Sequence, residues 1–411
     1  MRLLLSTLLL ATLPSWSYSS STPKNHNISL SNKQGFNKWL KQHNKSYRHP
    51  SVEVVTDSYN DTPSTEGKQH DAEVDEYERR LDIFVTNSKK VERHNEAFQK
   101  GYTSYAMTVS ESPFADLTNE EFRSVYLMEE QNCSATHKSA AMSSVSASLL
   151  ENSGPLPKSI DWRTKGVLTP IKNQKQCGSC WTFSTTGTLE AHTCIHDATL
   201  DCTNWSGLAE QQLLDCSSAY DNHGCNGGLP SHAFEYIKER GGLDTERNYP
   251  YSATDGGPCV ATESEFGVAE VYNITSRDED DLANAIANVG PVSVAFDVAS
   301  DFKLYSHGVY DSFDAETNST VCTSDAMSVN HAVVAVGFGE TDGEDSLPYY
   351  IVRNSWSNTW GMEGYFWIKR GENLCGISDC ASFPIVPALD RKMRDKMDGD
   401  VVTATLRKRA I

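Results

Sequence analysis

The chain has 411 residues, 38% of them hydrophobic, which is more than a single hydrophobic core normally uses. Its formal net charge is −19, so we do not expect nucleic acid to be a partner. Protonation of all 12 histidines would still leave the chain negative, as suits a protein that works in an acidic compartment. We therefore expect two domains and one dispensable segment.

The first residues are typical of a secretory signal peptide. Arg2 precedes an apolar run from Leu3 to Leu13, and Pro14 and several serines follow it. The run is too short to span a bilayer, and Pro14 disfavours the alternative of a short buried helix. We expect residues 1–20 to be the signal peptide, and no other segment is long and apolar enough to cross a membrane.

A secreted chain passes through oxidising and glycosylating compartments. Eleven cysteines then predict disulfides, and the odd number leaves one thiol free or paired between molecules. N-x-S/T motifs, which also arise by chance, occur at Asn27, Asn44, Asn60, Asn132, Asn204, Asn273 and Asn318. The candidate glycosylation sites are those at Asn132, Asn204, Asn273 and Asn318.

The next part of the chain combines one helical pattern with one low-complexity stretch. Residues 75–100 predict an amphipathic helix, because apolar side chains recur there at helical spacing. These side chains are Tyr77, Leu81, Phe84 and Val91. The serine-rich stretch 139–155 cannot bury enough apolar surface to order itself, so we place the main boundary there.

Beyond this boundary the pattern changes from helix to strand. The segment 229–242 predicts a helix, since Pro230 is near its start and Gly241 follows its end. From about residue 267, runs rich in β-branched and aromatic residues predict strands. These runs cover 291–296, 331–339, 349–356 and 364–371. A site is expected in the cleft between the two halves.

The most informative stretch is QKQCGSCW, residues 174–181. Cys177 and Cys180 could form a C-x-x-C redox pair, but the region lacks the βαβ pattern that such a motif needs. A zinc site would need a second pair of ligands at similar spacing, which the sequence does not contain. Two ordinary disulfide cysteines would leave the odd thiol unexplained.

The functional interpretation makes Cys180 a nucleophile in the first turn of a helix that opens at Ser179. There the helix dipole and a protonated histidine would both favour the thiolate. A general base and a group that orients it would also be needed. His331 begins a buried strand and could be this base, although an ordinary core histidine fits that position equally well.

Three further side chains complete the candidate site. Asn354 ends the next strand, and its amide could fix the tautomer of His331. Trp356 would screen that hydrogen bond from water. Gln174 could join the backbone N–H of Cys180 as an oxyanion hole, which can be worth about 10²–10³ in rate. This chemistry needs no metal and no other cofactor.

Together these residues resemble the papain family of cysteine proteases, whose signature C-G-[SA]-C-[WY] matches CGSCW. The resemblance implies an α+β fold with a helical left domain and a β-barrel-like right domain, preceded by a helical inhibitory pro-domain. It implies that Cys180 is the nucleophile, His331 the general acid and base, and Asn354 its orienter. Gln174 is then the oxyanion donor. The long interval between Cys180 and Asn354 predicts loop insertions.

The resemblance also extends to the substrate and to partners. The GCNGG stretch resembles the family's substrate-binding edge, where the backbone of Gly228 would pair with an extended peptide. Ser357 departs from the family, which usually has glycine after N-S-W. We expect peptide and protein substrates, inhibition by the protein's own pro-segment, no nucleic acid or membrane partner, and a monomer.

The expected pro-segment carries the family's inhibitory pattern E-x3-R-x3-F-x2-N-x3-V-x3-N. The matching residues are Glu76, Arg80, Phe84, Asn87, Val91 and Asn95. The family's G-x-N-x-F-x-D motif is altered, because Ser110 and Ser112 replace Gly and Asn. An acidic insertion around residues 49–74 has no counterpart in the family pattern.

The resemblance supplies most of the disulfides. It implies the pairs Cys177–Cys225, Cys216–Cys259 and Cys322–Cys375. Cys194 and Cys202 flank the short stretch CIHDATLDC and could close on each other, although the family does not supply this pair. Cys180 remains as the free thiol.

The last pair indicates the cathepsin H branch of the family, which QNCSAT and LCGISDCASFPI resemble. In that branch a fragment of the pro-segment, here Glu129 to Thr136, is kept as a mini-chain through a bridge, here Cys133–Cys380. The alternative is a stray thiol at Cys133 or a crosslink between molecules. The mini-chain implies an aminopeptidase that removes single residues, with the carboxylate of Thr136 receiving the substrate α-ammonium.

These inferences divide the chain into six segments. They are a signal peptide (1–20), an inhibitory pro-domain (21–128), the mini-chain (129–136), a cleavable linker (137–155), a peptidase domain (156–387) and a C-terminal tail (388–411). The peptidase domain has a helical half over about 156–266 and a strand half over about 267–387. We expect secretory transport to a lysosome or vacuole, or secretion.

Two other functions remain open at this point. One is a cathepsin-L-like endopeptidase without a retained mini-chain. The other is an inactive homologue that acts as an inhibitor or binding module. Every catalytic position carries a reactive residue type, which disfavours the inactive homologue.

Overall fold

The computed structural model describes residues 28–47, 65–133, 155–197, 199–261, 266–314 and 317–387, with the backbone alone for 65–75. The expected signal peptide, nearly all of the linker, the C-terminal tail and Thr136 lie outside these residues. A search of the described part found no helix with the length and apolar character needed to cross a membrane.

The N-terminal part folds as a small helical domain. Its elements are α1 Leu30–Gln42, α2 Thr65–Gln99, β1 Tyr105–Met107 and α3 Asn119–Tyr126. The predicted helix over 75–100 is longer than expected, since α2 starts at Thr65. Its first turns are rich in Glu, Gln, Lys and Ala, which favour helix without the apolar periodicity on which the prediction rested. Part of the acidic insertion is therefore helical.

Aromatic side chains form the core of this domain between α1 and α2. The ring of Phe36 lies 5.8 Å from that of Trp39, 5.4 Å from that of Tyr77 and 5.3 Å from that of Phe84. All four side chains are buried, and the indole N–H of Trp39 donates to the backbone oxygen of Ser112 at 3.0 Å. Burial of these rings stabilises the crossing of the two helices.

Residues of the inhibitory pattern tie α2 to its neighbours. Arg80 donates to Glu76 at 2.6 Å and to Glu121 of α3 at 2.9 Å. Asn95 exchanges two hydrogen bonds of 2.9 Å with the backbone of Met107 and so holds β1. Residues of this pattern therefore contact other elements of the domain, so they are more than the exposed face of a helix.

The altered G-x-N-x-F-x-D motif joins the N-terminal domain to the rest of the molecule. The hydroxyl of Ser112 donates to the backbone oxygen of Lys303 at 2.7 Å. Asp116 is fully buried and accepts hydrogen bonds of 2.6 Å from both Lys45 and Tyr47. A buried carboxylate is stable only with such partners, so this motif anchors the domain despite its two serines.

Among the described residues, three α-helices build most of the first half of the C-terminal region. They are α4 Cys180–His196, α5 Glu210–Cys216 and α6 Pro230–Arg240. As predicted, α6 begins with Pro230 and ends at Gly241, whose φ of 89° is readily adopted by glycine. Nearly every residue of α4 is buried, because this helix lies between the two halves.

The second half is built mainly of strands. Its elements are β3 Glu270–Asn273, α7 Glu279–Asn288, β4 Val292–Phe296, β5 Tyr305–Tyr310, β6 Phe313–Asp314, β7 Ser319–Thr320, β8 His331–Glu340, β9 Pro348–Arg353, β10 Tyr365–Lys369 and β11 Ser382–Ile385. The four strands predicted from sequence correspond to β4, β8, β9 and β10.

Within the described residues, the main sheet has the order β1-β5-β10-β9-β8-β4-β11-β3, and β2 Ile160–Asp161 pairs with β8. The helical half was expected to span about 156–266, but residues 160–161 within that range form a strand in the sheet of the second half. The pro-segment strand β1 pairs with β5, with Tyr105 opposite Gly308. Backbone hydrogen bonds thus join the N-terminal domain to the sheet.

Disulfides join all the cysteines except Cys180, which is free and buried. The pairs are Cys133–Cys380, Cys177–Cys225, Cys194–Cys202, Cys216–Cys259 and Cys322–Cys375. The pair that the family does not supply, Cys194–Cys202, closes a loop just after α4.

The candidate glycosylation sites differ in exposure. Asn132, Asn204 and Asn318 are exposed, whereas Asn273 is partly buried in β3, opposite Ser382 of β11. Glycosylation stays a prediction at all four, and Asn273 offers a glycan the least room.

The aromatic core of the N-terminal domain gives a test of its stability. Phe36→Ala should lower the free energy of unfolding of this domain by about 3–5 kcal/mol, because it leaves a cavity between the rings of Trp39, Tyr77 and Phe84. Leu30→Ala, on the same helix but 72% exposed, is the matched control and should change it by less than about 0.5 kcal/mol. Urea unfolding of the full-length Cys180→Ala protein, followed by tryptophan fluorescence, measures both. Equal effects would contradict the packing described.

Candidate active site

Cys180 is placed by the start of α4. Its side chain is fully buried, and its Sγ accepts a hydrogen bond from the backbone N–H of Ala332 at 3.4 Å. Ala332 is the second residue of β8, so the beginning of this strand faces the beginning of the helix. The N-terminal end of a helix favours negative charge, which suits a thiol that must ionise.

His331 lies between Asn354 and the ring of Trp356. Its Nε2 donates to Asn354 Oδ1 at 2.8 Å, because a carboxamide oxygen can only accept. The backbone N–H of Ser355 donates to the same oxygen at 2.8 Å. Trp356 stacks on the imidazole with 4.6 Å between ring centroids. His331 Nδ1 has no hydrogen-bond partner among the described residues, which leaves its lone pair for a proton from Cys180.

The side chain of Gln174 is fully buried and held from both ends. Its Oε1 accepts from the hydroxyl of Ser355 at 2.7 Å and from the indole N–H of Trp356 at 3.1 Å. Its Nε2 donates to the backbone oxygens of Cys177 and Tyr126, each at 2.9 Å. The N–H that binds Tyr126 therefore points towards the chain in the cleft, as an oxyanion donor requires, while the other N–H fixes the amide to Cys177.

The pro-segment crosses the cleft over these side chains. The backbone oxygen of Tyr126 accepts the hydrogen bond of Gln174 Nε2. The backbone N–H of Met128 donates to the backbone oxygen of Asn330 at 3.0 Å and also faces the Sγ of Cys180. On the pro-segment side, the ring of Phe114 packs edge-on against the Trp356 indole. The backbone of 126–128 thus covers the candidate nucleophile.

This burial sets the charge state of the pair in the proenzyme. Burial raises the pKa of Cys180 to about 12 and lowers the pKa of His331 to about 4, and the Asn354 hydrogen bond only partly opposes the second shift. Between these values both groups are neutral. The sequence predicted a thiolate beside a protonated histidine, and under the pro-segment desolvation outweighs the helix dipole that favours it.

The GCNGG loop contacts the crossing chain through Asn226, and the substrate contact of Gly228 stays a prediction. The backbone N–H of Glu129 donates to the backbone oxygen of Asn226 at 2.8 Å. Gly228 leaves no room for a side chain, since a Cβ there would collide with Asn222 Oδ1. Gly227 has a φ of 131°, and a Cβ there would lie 2.9 Å from Met128, so its missing side chain makes room for the crossing chain.

The first half of the expected mini-chain lies along the opposite wall of the cleft. The backbone N–H of Gln131 donates to the oxygen of Val329 at 2.9 Å, and that of Cys133 donates to the oxygen of Ala326 at 3.1 Å. The Cα atoms of Cys133 and Cys380 lie 5.1 Å apart in their bridge. Thr136, the expected end of the mini-chain, is outside the described residues.

Ser357 explains why glycine is usual at its position. Its φ is 71°, a left-handed conformation that costs a residue with a Cβ more than it costs glycine. The backbone N–H of Ser357 donates to the oxygen of Lys172 at 3.1 Å, which holds the turn closed.

Sequence reasoning missed two residues that shape the site. Ser355 lies inside the N-S-W stretch, so its position beside Asn354 was a usable signal. Tyr251 carries no such signal, yet its hydroxyl donates to the backbone oxygen of Gln174 at 2.7 Å. Only the tertiary structure brings it to the cleft.

Comparison with known families agrees with this geometry. The model of the papain family cysteine protease matches residues 156–385, and that of the cathepsin propeptide inhibitor domain matches residues 36–122. The chain therefore belongs to the papain family of cysteine proteases, and it carries the propeptide of a zymogen.

Similar proteins support the same assignment. Pro-cathepsin H of Bos taurus is 44% identical over 314 residues, which are 76% of this chain and 85% of that protein. Thiol protease aleurain of Arabidopsis thaliana is 45% identical over 315 residues, 76% and 80% of the two chains. The structure of digestive procathepsin L 3 from Tenebrio molitor larval midgut has a TM-score of 0.67 at 33% identity, covering 87% of this chain and 99% of that one. The predicted fold class is confirmed.

The covered, neutral thiol predicts slow alkylation of the proenzyme. At mildly acid pH, a thiol-directed epoxide should label Cys180 in the proenzyme at least about 100-fold more slowly than in the acid-activated protein, because only thiolate reacts. Intact mass against time measures both rates, with Cys180→Ala as the control that gains no adduct. Equal rates would show that the pro-segment does not cover the thiol.

Proposed function

We propose that this cysteine peptidase acts mainly as an aminopeptidase that removes single N-terminal residues, with some endopeptidase activity, through Cys180, His331 and Asn354. The observation that carries the proposal is the bridge between Cys133 and Cys380, which fastens a piece of the pro-segment inside the cleft. The similarity to pro-cathepsin H and aleurain supports it.

The reaction follows from the arrangement of the site once the pro-segment has left. Cys180 transfers its proton to Nδ1 of His331, and the thiolate attacks the carbonyl carbon of the first substrate residue. Gln174 Nε2 and the backbone N–H of Cys180 bind the oxyanion that forms. His331 returns the proton to the leaving amine, which leaves a thioester. Water then attacks the thioester with His331 as base, which releases the amino acid and restores the thiol.

Asn354 and Trp356 serve His331 in this scheme. The hydrogen bond to Asn354 Oδ1 keeps the proton on Nε2 and so directs Nδ1 towards the thiol. The indole stacked on the imidazole keeps water from that hydrogen bond. Both residues therefore orient the base without taking part in proton transfer.

The preference for single residues comes from the mini-chain. Three backbone hydrogen bonds, from Glu129, Gln131 and Cys133, support its retention in the cleft after cleavage. We place the new carboxylate of Thr136 where the substrate amino terminus arrives. A charge-assisted hydrogen bond to the α-ammonium is worth about 1.5–3 kcal/mol, which favours free over blocked amino termini by roughly 10- to 100-fold.

The proposed setting is an acidic compartment of the secretory pathway, a lysosome or vacuole. The signal-like N-terminus, the disulfides and the net charge of −19 support this setting. Cleavage in the serine-rich linker would free the mini-chain from the peptidase domain, and loss of the pro-segment would open the cleft.

Removal of the tether tests the aminopeptidase directly. Cys133→Ala should lose the mini-chain on activation, lower the turnover of free-amino aminoacyl substrates and raise that of N-blocked peptides, so that their ratio moves by about 10-fold or more. The double variant Cys194→Ala/Cys202→Ala, which removes a bridge at the far end of α4, should keep the parental ratio. An unmoved ratio in Cys133→Ala leaves a plain endopeptidase as the function.

The Cys–His pair predicts the pH profile of the activated enzyme. Opening of the cleft removes the burial that keeps both groups neutral, and a thiolate–imidazolium pair with a thiol pKa of ~3–4 should form. The value of kcat/KM should then rise with pH as the pair forms and fall as His331 loses its proton, with a maximum at mildly acid pH. A rate that climbs steadily to about pH 10 would indicate a lone thiol.

A further inference from the structure

A buried charge cluster lies behind the candidate site, on groups that the reaction does not use. Lys172 Nζ donates to Glu190 Oε1 at 2.7 Å and to Glu210 Oε1 at 2.6 Å, and both glutamates are fully buried. The nearby guanidinium of Arg353 donates to Thr169 and not to these carboxylates. One cation therefore neutralises two carboxylates only in part.

A third carboxyl group, that of Glu246, joins this cluster. Burial and the charge of Glu210, a close neighbour, raise the pKa of Glu246. No donor among the described residues reaches the buried Oε2 atom of either side chain. Since a buried carboxyl oxygen without a donor is costly, one proton bound between the two neighbouring groups would satisfy both.

Glu246 also holds the segment that carries Tyr251. Its Oε1 accepts from the backbone N–H of Tyr251 at 3.0 Å. The Tyr251 hydroxyl donates to the backbone oxygen of Gln174 at 2.7 Å and lies 2.6 Å from the Oγ of Ser179. Its ring packs edge-on against Phe183, one turn into α4, at 4.9 Å. Tyr251 thus contacts both ends of the stretch that leads to the candidate nucleophile.

We propose that Tyr251 is a positioning residue for the oxyanion hole, and that the proton shared by Glu210 and Glu246 keeps it in place. This inference rests on the proposed function, because it takes Gln174 and the backbone N–H of Cys180 as the oxyanion donors. Such donors stabilise a transition state only if they are fixed before charge develops. The Tyr251 hydroxyl fixes the backbone at the first donor and the residue that precedes the second.

Loss of the shared proton should release this arrangement. Burial and the charge of Glu210 raise the pKa of Glu246 from 4.5 to about 7, and Lys172 lowers it only in part because it is also paired with Glu190. Between 4.5 and about 7 the native state therefore binds more protons here than the unfolded state does. The bound proton therefore adds to the free energy of unfolding at acid pH. This contribution falls as the pH rises through the interval, and it is lost above about pH 7.

Removal of the hydroxyl tests the positioning role. In the acid-activated enzyme, Tyr251→Phe should lower kcat about 10-fold at mildly acid pH and change KM by less than about 2-fold, since the hydroxyl positions donors that act only in the transition state. Tyr249→Phe is the matched control, because the Tyr249 hydroxyl bonds Asp215 at 2.8 Å in the same segment. It should keep the parental kcat.

A variant that cannot titrate at position 246 tests the shared proton. In Glu246→Gln, the amide can donate to Glu210 and accept from the backbone of Tyr251 at every pH. The urea midpoint of the epoxide-blocked enzyme should therefore differ less between pH 5 and pH 8 than in the parent, and kcat should fall less between mildly acid and neutral pH. Glu239→Gln, at an exposed carboxylate, should keep the parental dependence.

The outcomes separate this inference from the proposed function. A parental kcat in Tyr251→Phe, with a lowered kcat in Gln174→Ala, overturns the positioning role and leaves the proposed mechanism intact. A parental pH dependence in Glu246→Gln overturns the shared proton. A parental kcat in Gln174→Ala overturns the oxyanion role in the proposed function itself. If Tyr251→Phe does not fold, the kcat profile of Glu246→Gln decides, because a purely structural role would not change its pH dependence.

Discussion

The buried contact between α4 and β8 is the constraint on which the rest of the site depends. The hydroxyl of Ser184 donates to the backbone oxygen of Val333 at 2.6 Å and lies 2.7 Å from the hydroxyl of Ser293 in β4. These short hydrogen bonds hold the helix against two strands of the other half. Because Cys180 begins the helix and His331 begins the strand, this contact brings the two residues to the same end of the interface between the halves. The candidate site therefore exists only while the halves are packed together.

The pro-segment lies over the site that this contact between α4 and β8 forms. The chain that crosses the cleft accepts the hydrogen bond of Gln174 with a backbone oxygen and buries the thiol. Since an unpaired charge is costly in such surroundings, the buried Cys180 and His331 are neutral, with pKa values shifted to about 12 and about 4. The crossing chain therefore blocks the cleft and, because it buries Cys180 and His331, also keeps both side chains neutral.

The pro-segment does not end at Cys180, and in the proposed function this continuity links inhibition to specificity. Beyond Met128 the chain keeps hydrogen bonds to both walls of the cleft until the bridge at Cys133. The ion pair between Arg123 and Glu130 spans the expected cut, but both side chains are more than half exposed, so it adds little. Retention of the fragment would therefore depend on the backbone contacts and the covalent bridge.

The sequence by itself determined the elements whose signals are local. The CGSCW stretch, the capped helix from Pro230 to Gly241 and the four apolar strands needed only neighbouring residues to be recognised, and the family pattern supplied their roles. Periodicity failed at the start of α2, where helix propensity without an apolar stripe was enough. Tertiary structure alone decided the neutral state of the Cys–His pair and the contacts of Gly228. It also decided the reach of Tyr251 to Gln174, because burial and long-range hydrogen bonds depend on segments far apart in the chain.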